Sequence, residues 1–79
     1  MSYRHITASQ MRAARALLDW NQADLAAASG VALSTVKRME SVGPEKSSVE
    51  NIDKVSTALE EAGVTFTNGG EPGVRLKRQ

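Results

Sequence analysis

The chain has 79 residues, no cysteine, one histidine and a formal net charge of +1. That length makes one small domain with a marginal core, which oligomerisation would support. The missing thiols exclude disulfides, thiolate metal sites and cysteine nucleophiles, and no apolar run approaches the roughly 20 residues that span a bilayer.

Residues 1–5 read as a short arm, without the apolar core of a secretory leader, so a cytoplasmic protein is expected. A helix start follows, with Thr7 as N-cap, Gln10 three positions later and Ile6 placed to staple onto Met11. Met11, Ala14, Leu17 and Leu18 recur at helical spacing and form the expected buried stripe of a first helix, with Arg12 and Arg15 beside it. This helix should end near Asp19 or Trp20. Asn21 and Asp24 make a second capping pattern, opening a second helix from Gln22 to about Ser29. Its alanines allow a neighbouring helix to approach closely, and Gly30 supplies the left-handed backbone that a tight exit requires.

A third helix begins near Leu33 and fades around Ser41, before Gly43 and Pro44. Ala32, at its cap position, offers no side-chain acceptor. A polar loop is expected over residues 45–47. Ser47 with Glu50 then forms a third capping box, and Val49, Ile52, Val55, Leu59 and Ala62 mark the inward face of a fourth helix that stops at Gly63. Beyond it the period switches to two. Residues 64–67 and 74–77 read as strands of a hairpin around a loop at 68–73. A lone hairpin is marginal in water, so Phe66, Val74 and Leu76 must pack either on the fourth helix or on a second copy.

Charge is unevenly spread. Six cations face four anions through Lys46, one faces five over residues 47–71, and three cations close the chain. This distribution suits a domain with one face for phosphates and another turned away from them. At about 100° per residue, Leu33, Ser34, Lys37 and Arg38 share one sector of the third helix, with Thr35 at its margin. Leu25, Ala26, Val31, Val36 and Met39 face inward. The outward group suits base edges: Lys37 or Arg38 can donate to guanine, Ser34 can bond several bases, and Leu33 can touch a thymine methyl. By position and charge, Arg12 and Lys46 are candidate phosphate contacts.

Residues 22–40 resemble the helix-turn-helix of Cro/C1-type (XRE family) regulators. The likeness rests on Gln22, the Leu25-Ala26 pair, Gly30-Val31 at the turn, and the ending Thr35, Val36, Arg38, Met39, Glu40. With the flanking helices it covers roughly residues 6–62. It implies a mainly α fold, a four- to five-helix lambda-repressor-like DNA-binding domain over residues 6–63, with a C-terminal β-hairpin and basic tail at 64–79.

The resemblance further implies that Gln22 bonds a phosphate and braces the reading helix, and that Asn21 lies at a phosphate. Leu33, Ser34, Lys37 and Arg38 would read bases, with Thr35 a lesser contributor, while Arg15 and Glu40 would tie the first helix to the third. The implied partner is duplex DNA, bound by a homodimer acting as a small nucleoid-associated transcriptional regulator, most simply a repressor. Phe66, Val74 and Leu76 are the candidate dimerisation residues. Two positions depart from the family pattern: Ala32 stands where serine or threonine usually caps, and Leu33 where a polar residue often begins the reading helix. No enzymatic activity, metal or cofactor is expected, because the lone His5 has neither a second histidine nor a thiol to join it. A different class of function, a protein-binding module that sequesters a transcription factor or toxin, would use the acidic fourth helix (Glu50, Asp53, Glu60, Glu61) or the hairpin.

Overall fold

Three of the four α-helix starts are decided by which side chain captures the first free amides. In the computed structural model, which describes residues 6–67 and 70–77, helix α1 spans Ala8–Leu18 and α2 spans Gln22–Ser29. Thr7 Oγ1 accepts from the Gln10 amide at 3.0 Å and Gln10 Oε1 accepts from the Thr7 amide at 2.9 Å. Asn21 and Asp24 form the same reciprocal box at 2.7 and 2.9 Å. Helix α3, Leu33–Val42, has no side-chain cap, as Ala32 dictates. The expected arm at residues 1–5, Asn68-Gly69 of the loop and the tail beyond Lys77 lie outside the described residues.

Helix α4 spans Val49–Glu61 and starts one residue later than the capping box at Ser47 and Glu50 implies. Ser48 is the cap, accepting from the Asn51 amide at 3.1 Å, while Ser47 Oγ accepts from the Asn51 side-chain amide at 3.2 Å. Two adjacent serines offer the same chemistry, and the shift is set by Pro44–Lys46. That segment closes into a 3₁₀ turn rather than the expected open loop. Gly30 leaves α2 with φ +76° in the left-handed region, and Asp19 does the same for α1 at φ +57°.

The core gathers Met11 and Ala14 of α1, Leu25 of α2, Val36 and Met39 of α3, Ile52, Val55 and Leu59 of α4, and Val64 of the hairpin. Five residues expected inward are not fully buried: Leu17 is 42% exposed, Val49 is 49% exposed, and Leu18, Ala26 and Ala62 are half-buried. Val49 opens α4 beyond the edge of the core. Leu17 shares its flank of α1 with Gln10, one heptad away. The hairpin covers the Gln10 end of that flank, so a glutamine is 3% exposed there and a leucine is left to solvent.

Strands β1 (Val64–Thr67) and β2 (Gly73–Leu76) pair antiparallel, with Val64 opposite Leu76 and Phe66 opposite Val74. β2 lies along α1 and β1 against α4. The clasp is Gln10, whose Nε2 donates to the carbonyls of both Thr67 (2.9 Å) and Gly73 (3.0 Å). Phe66, Val74 and Leu76, expected at a subunit contact or on α4, are half-buried against the core of their own chain. Among the described residues no helix is long and apolar enough to cross a membrane.

Candidate nucleic-acid interface

The inner side of α3 is fixed by charge as well as by packing. Glu40 is only 4% exposed. Its carboxylate accepts from Arg15 Nε at 2.7 Å and Nη2 at 2.8 Å, and its Oε1 also accepts from Gln22 Nε2 at 3.1 Å. The fork of a guanidinium matches a carboxylate in this bidentate way, which a lysine cannot reproduce. The hydrogen bonds to Glu40 raise the Arg15 pKa above its ordinary value, against the opposing pull of burial, so the arginine stays charged. The third nitrogen of that guanidinium, Nη1, donates to the Trp20 carbonyl at 3.0 Å and holds the α1–α2 corner. One carboxylate on α3 is thereby joined to α1 and to the first residue of α2.

Arg12 completes the frame. Its Nη1 donates to the backbone carbonyl of Glu40, which lies in the last turn of α3 where carbonyls lack helical partners, and Nη2 donates to Ser9 Oγ at 3.1 Å. The sequence offers Arg12 as a phosphate contact, but the fold commits its guanidinium to α3. Charge and position alone do not show whether a nearby protein acceptor exists, and no local signal points to the Glu40 carbonyl.

The opposite face of α3 is open. Leu33 (37% exposed), Ser34, Lys37 and Arg38 all reach solvent, and Thr35 is half-buried at the margin. Among the described residues neither the Lys37 ammonium nor the Arg38 guanidinium has an ion-pair or hydrogen-bond partner. The four side chains therefore form a convex strip with one hydroxyl, two cations and one apolar contact.

At the start of α2, Asn21 is exposed and its side-chain oxygen caps the Asp24 amide. The amides of Gln22 and Ala23 are left without backbone partners, an arrangement suited to an anion. The Asp24 carboxylate is drawn into the capping box by the Asn21 amide. Gln22 is half-buried, with Nε2 on Glu40. Lys46 is exposed on the 3₁₀ turn that follows α3. Among the described residues no cluster of histidine and carboxylate side chains has the makings of a metal site.

A family model described as helix-turn-helix matches residues 11–63, from the middle of α1 to the exit of α4, and stops before the hairpin. No curated protein matches the chain.

Proposed function

Since the chain belongs to the Cro/C1-type helix-turn-helix family of DNA-binding regulators, we propose that it is a small transcriptional repressor. It binds a palindromic duplex site as a homodimer, at the nucleoid of the cytoplasm. Ser34, Lys37 and Arg38 read base edges in the major groove, Leu33 contacts a thymine methyl, and Thr35 contributes at the margin. Asn21, the free amides of Gln22 and Ala23, and Lys46 hold phosphates. Arg15 and Arg12 serve the reading helix from behind rather than touching DNA. Two subunits separate their reading helices by about 34–36 Å, one turn of the duplex. Repression follows from occupancy, since a bound dimer covers the promoter.

One observation carries this reading: the unpartnered cations of α3 stand opposite a face locked by Glu40, so they are presented without being needed by the fold. The test is binding to DNA flanking the protein's own gene, titrated against salt. Affinity should fall steeply with added salt, because phosphate neutralisation releases counterions. Lys37→Ala and Arg38→Ala should each cost about 1–3 kcal/mol of binding and relax the preferred sequence, with melting unchanged. A loss equal on all sequences would make them phosphate contacts. No DNA binding at low salt, alongside tight binding to a protein, would replace this reading with the sequestering module.

A further inference from the structure

Two helices bring their last turns to one groove. A depression of about 320 Å³ between α2 and α4 is lined by Ala28 and Ser29 of α2 and by Asp53, Ala58 and Glu61 of α4. Among the described residues, the carbonyls of Ala27, Ala28 and Ser29 accept from no backbone amide. A helix carries partial negative charge at this end, and a cation in the last turn ordinarily offsets it. Neither α2 nor α4 has such a cation. α4 instead ends on a carboxylate, Glu61, which the dipole opposes. Among the described residues, neither Asp53 nor Glu61 has an ion-pair or hydrogen-bond partner. Lys54, which also lines the groove, is drawn away to Glu50 at 3.4 Å. Backbone and side chains therefore set one sign of charge around the groove, and such a cleft concentrates the opposite sign.

The chain carries the complement on another face. Arg75 and Lys77 alternate along β2 and its exit, so both stand on the outer side of the hairpin with Thr65, the cross-strand neighbour of Arg75. Both are exposed, and among the described residues neither side chain has an ion-pair or hydrogen-bond partner. They share a shallow depression with Thr65 and Leu76, and no carboxylate lines it. The other described cations are committed elsewhere. Arg12 and Arg15 hold Glu40, Lys54 holds Glu50, and Lys37, Arg38 and Lys46 belong to the proposed DNA face.

We propose that the α2–α4 groove receives Arg75 and Lys77 of a second copy, head to tail. Asp53 and Glu61 are eight residues apart on α4, about 12 Å along its axis. That interval admits one guanidinium between them. Its fork takes a carboxylate, and its remaining N–H groups meet carbonyls at the end of α2. The arginine stem lies over Ala28 and Ala58, two small side chains. Lys77, about 7 Å along the strand from Arg75, then reaches Glu61.

The contact is heterologous: each subunit offers a hairpin face and accepts one, so it repeats from dimer to dimer. Exposed ion pairs are individually weak, which keeps the contact rare between free molecules. It becomes effective when two dimers occupy neighbouring sites on DNA, where their effective concentration is high. α2 then meets a phosphate at its start and a neighbouring protein at its end. This use rests on the regulator reading above, whereas the contact itself does not.

Two measurements test it. On DNA flanking the protein's own gene, a duplex with two adjacent palindromic sites should be filled on the order of tenfold more tightly than one isolated site. Asp53→Arg with Glu61→Arg should abolish that gain, with single-site affinity kept and melting no lower. Adding Arg75→Glu and Lys77→Glu to the same chain should restore it. Equal affinity of the wild type for one and two sites, or failure of the fourfold reversal to restore the gain, overturns the contact. Without DNA, at low salt and high protein concentration, a carbodiimide should join Lys77 of one copy to Glu61 or Asp53 of another. Combining isotopically light and heavy chains identifies these as mixed-label peptides. Links confined to single chains, or none at these residues, overturn the contact as well. If the wild-type chain binds no DNA, the regulator reading fails, and the mixed-label cross-link still decides the contact.

Discussion

Two polar clasps hold this molecule together, and they differ in kind. At the reading helix, a buried carboxylate takes a bidentate arginine and a glutamine. At the hairpin, one neutral amide bridges two carbonyls. Both side chains are almost fully buried, Glu40 at 4% and Gln10 at 3%. The charged clasp fixes the helix that carries the proposed reading residues. The neutral clasp fixes an element lying outside the matched family region. Losing one partner strands a charge in the first case and only hydrogen-bond groups in the second, so the two should fail differently.

The largest effect is expected from Arg15→Ala. It leaves Glu40 buried without its counter-ion, a situation that typically costs about 3–5 kcal/mol. Melting should fall sharply and DNA binding with it. Arg15→Lys should recover only part of the loss, since an ammonium does not span both carboxylate oxygens. If Arg15→Lys melts like wild type, the fork geometry is irrelevant and the clasp reduces to a point charge. Glu40→Ala is the companion measurement, lowering both melting and binding.

A smaller effect of a different shape is expected from Gln10→Glu. The variant keeps the chain length, and its carboxylate still accepts from the Thr7 amide at a helix N-terminus, where negative charge is favoured. It also turns an anion toward the Thr67 and Gly73 carbonyl oxygens. We expect about 2 kcal/mol of destabilisation from two lost bonds and from the carboxylate turned toward two carbonyl oxygens. The change should be local: amide exchange should speed up for Thr65, Arg75 and Lys77 while α3 stays protected. Uniform loss of protection would show that the hairpin and the helical body unfold as one unit.

The contrast also explains what could be read before the fold was known. Helix starts and the outward strip of α3 were legible because capping and the 3.6-residue period are local. Glu40 and the inward residues of α3 follow from the same period. What could not be read depends on distant partners. Gln10 looks like a capping residue, and its second role spans the chain to Thr67 and Gly73. Arg12, offered as a phosphate contact, also reaches the Glu40 carbonyl, which no local signal announces. The choice of Ser48 over Ser47 belongs to the 3₁₀ turn, and the exposure of Leu17 depends on how far the hairpin reaches along α1. For the long polar side chains the unread part is a specific atom far along the chain, and for the apolar ones it is how far a neighbouring element extends.

A third buried polar group separates the cost of burial from the gain of a clasp. Ser56, on α4, is 0% exposed, and its hydroxyl has no hydrogen-bond partner among the described residues. Both clasps offset the desolvation of their polar groups with bonds, and Ser56 does not. Replacing it with alanine removes an unpaired hydroxyl, which costs roughly 1–3 kcal/mol when buried. The change also favours the helix by about 0.5 kcal/mol. Loss of one small atom opens too little space to cancel these gains. Ser56→Ala should therefore stabilise the protein by about 1 kcal/mol, raising Tm by roughly 4–8 °C for a domain of this size. DNA binding and hairpin exchange should stay as they are, since Ser56 is bonded to neither clasp. A lowered Tm would mean that the hydroxyl is satisfied in solution, and that burial without a bond is not tolerated even this far from the reading face.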